Sequence, residues 1–276
     1  MRVRNIFIAL SIVAVVSACT PQPEPTPSPT TSSPSPTATT NPESVALYYL
    51  ADTQLGFRLF QETHTIETAE SAEIAAVRAI IENSEAPLDP DYTNVWPSGS
   101  VLTSVVRSGD TVIIDVNPGQ FSVGSEGEAR AIDQVVWTLT ANDPSITRVL
   151  FLIEGVTSES LAGHVDLSPA FTRGEGYEVL SPVMITSPFE NQIMSGNVIV
   201  SGLACTFEAN VAWRLYRNGE KIMQASTLAR EACPVTSPWE VDLGVLDPGG
   251  YEFRAIEFSA KDGSIVVKDT RSFTVE

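Results

Sequence analysis

The sequence predicts two folded domains, an α+β domain with a mixed sheet and two helices, followed by an all-β sandwich. The chain has 276 residues, which is enough for two separate cores. Residues 44–180 combine two helical apolar patterns with short strand-like runs, whereas residues 181–276 contain only short strands separated by turn signals. Acidic residues far outnumber arginines in the first range, while the second is closer to balance and holds every lysine.

Residues 1–18 predict a secretory signal peptide. Arg2 and Arg4 form its charged region, and the run from Ile6 to Val16 is apolar except for Ser11. A helix of this apolar length spans only about 20 Å, against a hydrocarbon core of roughly 30 Å, so a permanent membrane helix is disfavoured.

The residues Val16-Ser17-Ala18-Cys19 resemble the lipobox of bacterial lipoproteins, with valine where leucine is commonest. The resemblance implies that Cys19 becomes the first residue of the mature chain and carries a diacylglyceryl group, whose two chains suffice for stable anchoring. We therefore expect an extracytoplasmic protein held at the membrane by lipid. The alternative is an ordinary signal peptide cut nearby, with Cys19 incidental.

Residues 19–43 predict a disordered tether. Nearly every residue from Thr20 to Pro42 is Pro, Ser or Thr, so no apolar surface offsets the entropy of ordering. Polyproline geometry would let the tether reach at most roughly 70 Å. Its composition also permits O-glycosylation, a hypothesis that the intact mass of the mature protein tests.

The first domain, residues 44–180, is predicted to contain five strands and two helices. Thr68 is the predicted N-cap of the first helix, and Ser125 with Glu128 forms a predicted capping box for the second. The last strand is continuously apolar, which favours a central position buried on both faces. The elements are strands 45–51 and 58–65, helix 69–83, strands 101–107 and 111–116, a helix ended by Asn142-Asp143-Pro144, and strand 148–154.

The second domain, residues 181–276, is predicted to be a β-sandwich of seven strands. Asn218-Gly219 and Asp262-Gly263 are dipeptides that favour type I′ turns, in which both central residues have positive φ. The predicted strands are 183–186, 198–203, 211–217, 221–226, 239–243, 251–259 and 265–275.

The order and spacing of five segments in the first domain are recognisable: 71–79, 96–102, 112–116, 131–139 and 149–155. Together they resemble the GerMN domain of sporulation and germination proteins and of envelope lipoproteins, over residues 45–155. The resemblance carries over no catalytic residue. Segments 185–188, 198–202, 207–210, 249–251 and 258–263 resemble the immunoglobulin-like domain of bacterial spore germination, which often follows GerMN.

Cys205 and Cys233 remain as an even pair once Cys19 is assigned to lipid attachment. In an exported protein such a pair is expected to form a disulfide, which stabilises by roughly 3 to 4 kcal/mol in the chain-entropy model. Two buried free thiols are the alternative. The pair does not belong to the pattern that carries the resemblance.

Patterns that indicate catalysis or metal binding are sparse. His64 and His164 lie at no ligand spacing from a cysteine or a second histidine, so no metal or cofactor is expected. Residues 89–94 resemble the opening of a calcium loop but lack its glycine and distal glutamate, so a proline-fixed turn is predicted. Neither Gly-x-Ser-x-Gly nor a phosphate-binding loop occurs. Four acidic residues are interpreted as solvated surface or helix caps: Glu126, Glu128, Asp133 and Glu154.

The predicted function is that of a non-catalytic cell-envelope lipoprotein. It would bind another envelope protein or a cell-wall component, in a sporulation, germination or envelope-maintenance setting implied by the resemblance. The formal net charge of −18 disfavours nucleic acid as a partner. The alternative is a ligand-sensing or solute-binding accessory, with a pocket beside the loop that holds Trp96, Pro97 and Gly99. A wall hydrolase ranks last. Core packing is predicted for at least three of four tryptophans: Trp96, Trp137, Trp213 and Trp239.

Overall fold

A computed structural model describes residues 40–157 and 160–276. The predicted signal peptide, Cys19 and nearly all of the predicted tether lie outside these residues. In the part that is described, no helix is long and apolar enough to cross a membrane. The first strand begins at Asn41. The last three residues of the predicted tether, 41–43, therefore belong to a strand, because their backbone pairs with residues 66–68.

A long antiparallel hairpin opens the first domain. Strand β1 (Asn41–Thr53) pairs along its whole length with β2 (Gly56–Thr68), which confirms the two predicted strands. The hydroxyl of Thr53 donates to the Gly56 carbonyl at 2.7 Å and accepts from the Leu55 amide at 3.1 Å. This side chain closes the turn.

Two helices pack on each other and on the hairpin. They are α1 (Ala72–Ile81) and α2 (Ser125–Asn142), as predicted, but both predicted caps are wrong. The N-cap of α1 is Ser71, because β2 keeps Thr68 in extended backbone. The N-cap of α2 is Gly124, and no side chain caps either helix.

The remaining strands of the first domain form a separate sheet in the order β3-β4-β5. β3 (Val101–Ser108) and β4 (Thr111–Asn117) are antiparallel, and β5 (Arg148–Ile153) runs parallel to β4, so this sheet is mixed as predicted. The central position predicted for residues 148–154 is wrong, because β5 lies at an edge. Phe171 covers that edge through two backbone hydrogen bonds with Val149, of 2.8 and 2.7 Å.

The second domain is the predicted sandwich, entered through one helical turn, α3 (Gly176–Val179). The strands are β6 (Val183–Ser187), β7 (Gln192–Met194), β8 (Asn197–Ala204), β9 (Asn210–Arg217), β10 (Glu220–Leu228), β11 (Ser237–Val245), β12 (Gly249–Phe258) and β13 (Ile265–Val275). One sheet has the order β10-β9-β12-β13-β7 and the other β11-β8-β6. All seven predicted strands are present. Strand β7, which has three residues and pairs in parallel with β13, is too short to give a sequence pattern.

The two predicted type I′ turns have different outcomes. Asn218 and Gly219 have φ of 52° and 80°, which confirms the first. The second is wrong, because only Gly263 has positive φ, at 72°. The loop between β12 and β13 is longer than a two-residue turn, and the Ser259 amide closes it by donating to the Ser264 carbonyl at 2.8 Å.

Cys205 and Cys233 form the predicted disulfide, with their Cα atoms 4.5 Å apart. Cys205 directly follows β8, and Cys233 lies in the loop between β10 and β11. The Cys233 amide also donates to the Thr206 carbonyl at 3.1 Å. The bond therefore fastens this long loop to the end of β8.

Stacked aromatic rings fill the centre of the sandwich. The ring centroid of Phe253 lies 5.5 Å from that of Trp213 and 6.1 Å from that of Trp239, with nearly parallel planes. Trp96 and Trp137 are buried in the first domain. All four tryptophans are thus core residues, which satisfies the prediction for at least three.

Gly202 of β8 leaves no room for a side chain beside β6 in the smaller sheet. A Cβ atom at this position would lie 1.9 Å from the Met184 carbonyl oxygen and 2.7 Å from Cζ2 of Trp239. We expect Gly202→Ala to lower the free energy of unfolding by about 1–3 kcal/mol, measured by chemical denaturation, because β6 must move to admit the methyl group. Gly250→Ala is the matched control, since its Cβ would meet no atom within 4 Å. Equal losses in both variants would contradict the packing argument.

One buried apolar cluster runs through both domains, which together form a single compact body. The chain passes between them at Leu180 and Ser181. The Ser181 amide donates to the Leu59 carbonyl at 2.9 Å, so the crossover segment is tied to β2. The surface between the domains is therefore part of the core.

Candidate binding site at the domain junction

Four buried polar side chains join the two domains, and we call them the junction cluster: Asp89, Tyr92, Asp269 and Arg271. The first two lie in the loop between α1 and β3, and the other two lie on β13. Their exposed fractions are between 2% and 4%. Charged groups this deeply buried are rare unless they are paired.

Strand alternation places the two β13 residues at the junction. Val267, Phe273 and Val275 are the other buried side chains of this strand, at alternate positions. Asp269 and Arg271 occupy two positions of the same inward face. β13 therefore has two charged residues at inward positions, which are usually apolar in a strand of this alternation.

Glu62 of β2 holds the loop that carries Asp89. Its carboxylate accepts from the amides of Leu88 and Asp89, both at 2.8 Å, and lies 2.9 Å from Nε2 of the buried His64. The Asp89 carboxylate in turn accepts from the Asp91 amide at 2.8 Å, which closes the turn around Pro90. The predicted proline-fixed turn is present, but its first residue also belongs to a buried ion network.

Arg271 is the centre of this network. Its Nη1 donates to the carboxylates of Asp89 and Asp269, the latter at 3.1 Å. Its Nη2 donates to the Tyr92 hydroxyl and the Ile185 carbonyl, both at 3.0 Å. The Tyr92 hydroxyl donates to Asp269 at 2.8 Å, and the Ile185 amide donates to the other oxygen of Asp269 at 2.5 Å. The cluster thus links the loop, β13 and β6.

The cluster contains two carboxyl groups and one guanidinium, so it is net negative when both acids are ionised. Burial raises the pKa of Asp89 to about 6, although Arg271 acts in the opposite direction. Burial also raises the pKa of Asp269 and of the Tyr92 hydroxyl, which keeps the hydroxyl neutral and able to donate. Burial lowers the pKa of Arg271, but Asp269, Tyr92 and Asp89 together raise it above its ordinary value, so the guanidinium stays charged.

The raised pKa of Asp89 makes the free energy of unfolding of the two packed domains depend on pH. The ordinary value is 3.8 and the folded value is about 6, so the folded state binds the proton more tightly. Relative to Asp89→Asn, which does not titrate, the wild type is therefore expected to lose stability as pH rises from about 4 to about 7. Chemical denaturation of both proteins across this range measures the difference. Groups away from the junction cluster largely cancel in it, whereas Asp269, which shares Arg271 with Asp89, also contributes. If the wild type instead gained stability relative to Asp89→Asn as the pH rose, pairing with Arg271 would outweigh burial.

Above the junction cluster, a cleft of about 560 Å³ opens between the domains, and we call it the junction cleft. The turn between β1 and β2 forms one wall, and residues 265–270 of β13 form the other. Phe60 and Tyr92 are its buried aromatic residues, with ring centroids 4.7 Å apart. Asp52, Asp91 and Lys268 are exposed at its rim. The volume lies within the range of small-molecule pockets, and an apolar floor with a charged rim suits an amphipathic ligand or a protruding side chain.

The predicted binding loop lies elsewhere. Trp96 is 1% exposed, and its Nε1 donates to the Ala131 carbonyl of α2 at 3.2 Å. Its ring meets that of Phe121 edge to face, 5.3 Å between centroids. Gly99 is exposed with φ of 93°, and Pro97 is half-buried. Trp96 therefore offers no surface to a ligand, because it packs this loop onto the core.

Glu128 is neither a cap nor a solvated residue, which corrects its predicted role. It is fully buried, and its carboxylate accepts from the amides of Leu161, Ala162 and His164, at 2.8 to 2.9 Å. Burial acts to raise its pKa, but the hydrogen bonds together lower it below the ordinary value. Glu128 therefore organises the loop after β5.

The other acidic residues singled out in the sequence do not converge. Glu126 accepts from the Phe57 amide at 2.9 Å, Asp133 pairs with Arg130 at 2.7 Å, and Glu154 is exposed. Within residues 40–157 and 160–276, no three His, Cys, Asp or Glu side chains are grouped to hold a metal ion.

One feature of the sequence indicates half of the junction cluster, although it was not among the predicted sites. Asp269 and Arg271 sit between apolar residues at inward positions of a predicted strand, a pattern that indicates either a bulge or a buried pair. Nothing in the sequence identified Asp89 and Tyr92 as their partners.

Comparisons with known proteins agree with the resemblances. Residues 46–159 match the Germane family model, described as sporulation and spore germination. Residues 182–264 match the Gmad2 model, described as the immunoglobulin-like domain of bacterial spore germination. A comparison with curated proteins finds no match.

Three solved structures are similar to parts of the chain. The tandem GerMN domains of the sporulation protein GerM from Bacillus subtilis are 20% identical over 55% of this chain and 51% of that chain, with a TM-score of 0.39, so this chain spans about half of that structure. The first GerMN domain of GerM is 22% identical over 48% of this chain and 98% of that chain, with a TM-score of 0.38. A putative lipoprotein from Clostridium perfringens is 19% identical over 48% and 88%, with a TM-score of 0.34.

Proposed function

We propose that this chain, a Germane domain followed by a Gmad2 domain, is a non-catalytic binding protein of the bacterial cell envelope. It would act in sporulation, germination or envelope maintenance, anchored by lipid on Cys19 and held away from the membrane by its tether. Its partner would be an envelope protein or a cell-wall component, bound at the junction cleft. The observation that carries this proposal is the junction cluster, which joins the two domains and so builds a cleft with a wall from each.

Rigid coupling of the domains supports a binding role. Interfaces between mobile domains are usually polar and resemble transient contacts. Here the apolar core is continuous and Arg271 makes buried hydrogen bonds to both domains. The cleft is therefore pre-organised, which reduces the entropy lost on binding.

The matches to two germination-related families, one for each domain, support the proposed setting. The lipobox resemblance of residues 16–19 supports the proposed location. Neither depends on the geometry of the cleft.

Site-specific photo-crosslinking in intact cells tests the proposed binding surface. A photoreactive residue at Gln54 or Lys268 would lie at the cleft, and one at the exposed Thr103 of β3 is the control. We expect one common product at both cleft positions and none at Thr103. Arg271→Met should abolish that product. The same products at all three positions, or no product at the cleft, would contradict the proposal.

The anchor is tested by cell fractionation and intact mass. We expect the mature protein in the membrane fraction, with a mass that includes a diacylglyceryl group, and release of the Cys19→Ser variant from that fraction. Native protein found in the cytosol with its first 19 residues intact would overturn the envelope proposal.

A ligand-sensing or solute-binding accessory is the second candidate, favoured by the volume and aromatic floor of the junction cleft. Native mass spectrometry of protein purified from its own cells separates the two candidates. A bound small molecule that is lost in a Phe60→Ala variant, together with no protein product at Gln54, would favour the accessory role.

A further inference from the structure

The outward face of the larger sheet carries a group of basic and aromatic side chains, which we call the arginine face: Arg214, Tyr216, Arg254 and Phe258. Arg214 and Tyr216 lie on β9, and Arg254 and Phe258 lie on β12. The alternate residues of both strands, among them Trp213 and Phe253, are buried in the sandwich. The arginine face therefore points away from the core.

The two arginines are direct cross-strand partners in the sheet. Side chains in such positions have Cβ atoms about 4.5–5.5 Å apart, and like charges placed there destabilise the sheet. Arg254 is partly neutralised, because its Nε donates to the Glu252 carboxylate. Arg214 forms no ion pair with any residue in the described part of the chain. The pair therefore carries positive charge that no neighbouring group fully offsets.

Aromatic rings hold both guanidinium groups in place. The Arg254 guanidinium lies 3.9 Å from the centroid of the Tyr216 ring, and that of Arg214 lies 5.7 Å from the centroid of Phe258. Stacking of this kind restrains a planar guanidinium and leaves N–H groups free at its edge, where a carboxylate or phosphate binds through two hydrogen bonds. The arginines are thus pre-organised for anions.

Shallow grooves flank the arginines on both sides. One has a volume of about 460 Å³ and is lined by Asn210, Gln224 and Ser226, in addition to Arg214 and Phe258. The other has a volume of about 340 Å³, and Asn191, Asn218 and Ser272 supply its amide and hydroxyl groups next to Tyr216. Glu252, whose carboxylate is paired with Arg254, also lines this groove. Amides and hydroxyls both donate and accept hydrogen bonds, which matches the hydroxyl groups of sugars.

We propose that the arginine face binds an anionic polysaccharide, with carboxylate or phosphate groups at Arg214 and Arg254 and sugar residues in the two grooves. Local charge carries this assignment, because Arg214 has no ion pair among the described residues and Arg254 shares its charge only with Glu252. The net charge of −18 repels anions elsewhere on the chain, which would confine an anionic ligand to this face. An extended peptide would more commonly pair with the edge of a sheet than lie across its face. The inference extends the proposed function by naming the chemistry of a cell-wall partner, but it uses different residues from the junction cleft.

Calorimetric titration of the full mature protein in detergent tests the proposal. The probes are polygalacturonate for carboxylate groups, phosphorylated dextran for phosphate groups, neutral dextran and poly-glutamate. We expect binding of at least one anionic glycan that weakens with added salt, and no binding of neutral dextran. Which glycan binds identifies the anionic group. If neither polygalacturonate nor phosphorylated dextran bound, or if poly-glutamate bound more tightly than either, the assignment would be overturned.

Two double variants with equal loss of charge make the test specific. Arg214→Gln with Arg254→Gln is expected to weaken glycan binding at least about tenfold, because charge-assisted bonds are lost at both positions. Arg230→Gln with Lys261→Gln removes two exposed charges of the same domain outside the face, and is expected to change affinity by less than about twofold. Equal weakening in both would show non-specific attraction and overturn the proposal.

The single variant Arg214→Gln provides the folding control. It removes a like-charge pair, so we expect its denaturation midpoint to equal or exceed that of the wild type. A lower midpoint would show that Arg214 has a structural role and would contradict the argument from repulsion. The substituted residues do not line the junction cleft. The glycan proposal can therefore fail while the crosslinking experiment still supports the cleft, and the reverse.

Discussion

Arg271→Met is expected to lower the free energy of unfolding by about 3–5 kcal/mol, measured by chemical denaturation at pH 7.5. Methionine fills much of the space of the arginine side chain, so the loss does not come mainly from a cavity. Its cause is that Asp89 and Asp269 stay buried without the guanidinium that pairs with both of them. Tyr92 and the Ile185 carbonyl also lose a donor.

Removing the whole charge cluster separates lost pairing from lost packing. In a triple variant that combines Arg271→Met with Asp89→Asn and Asp269→Asn, no unpaired charge remains. We expect it to recover much of the stability, since replacing a complete buried ion network is often neutral. Arg148→Met, at an exposed position of β5, is the control and should change stability by less than about 0.5 kcal/mol. A triple variant as unstable as Arg271→Met would contradict the charge argument.

Replacing both Cys205 and Cys233 with alanine is expected to lower the free energy of unfolding by about 3–4 kcal/mol. The disulfide joins residues 28 positions apart, so it removes loop-closure entropy from the unfolded chain. Alanine avoids placing a hydroxyl at the buried position 205. Chemical denaturation of the oxidised wild type and the variant measures this difference.

Reduction provides an independent check on the disulfide. Wild-type protein kept in excess reductant should unfold at nearly the same denaturant concentration as the double alanine variant. If the reduced wild type kept the stability of the oxidised form, the bond would contribute little. The backbone hydrogen bonds from Cys205 to Pro182 and from Cys233 to Thr206 would then be sufficient to hold the loop.

Most elements of the fold could be predicted because their signals are local. The spacing of Ala76, Ala79 and Ile80 indicates a helix wherever it occurs, and the alternation of Val211, Trp213 and Leu215 indicates a strand. Such patterns depend on residues a few positions apart. They predicted α1, α2 and every strand except β7.

Errors arose where a distant segment changes the meaning of a local pattern. Thr68 is a good capping residue by type, but pairing with Asn41 keeps it in β2. The apolar run of β5 indicates a central strand buried on both faces, but β5 lies at the edge of its sheet, where the backbone of Phe171 pairs with Val149. Glu128 matches a capping box, yet the amides of a later loop bind its carboxylate.

The candidate site lay beyond sequence reasoning for the same reason. Asp89 and Arg271 are 182 positions apart, and charged residues are exposed in most proteins. Their burial depends on the approach of two domains, which no periodicity describes. The loop that holds Trp96, Pro97 and Gly99 was predicted as a possible binding loop, but Trp96 packs in the core and offers no surface.

The sequence by itself determined the order and class of the domains, the type of nearly every element and the cysteine pair, because each is specified by composition or by neighbours along the chain. Only the tertiary structure decided where the domains meet, which charges are buried and which face of the sandwich presents its arginines. These features depend on contacts between segments far apart in sequence, and desolvation makes a buried charge stable only where its partners from those segments are also in place.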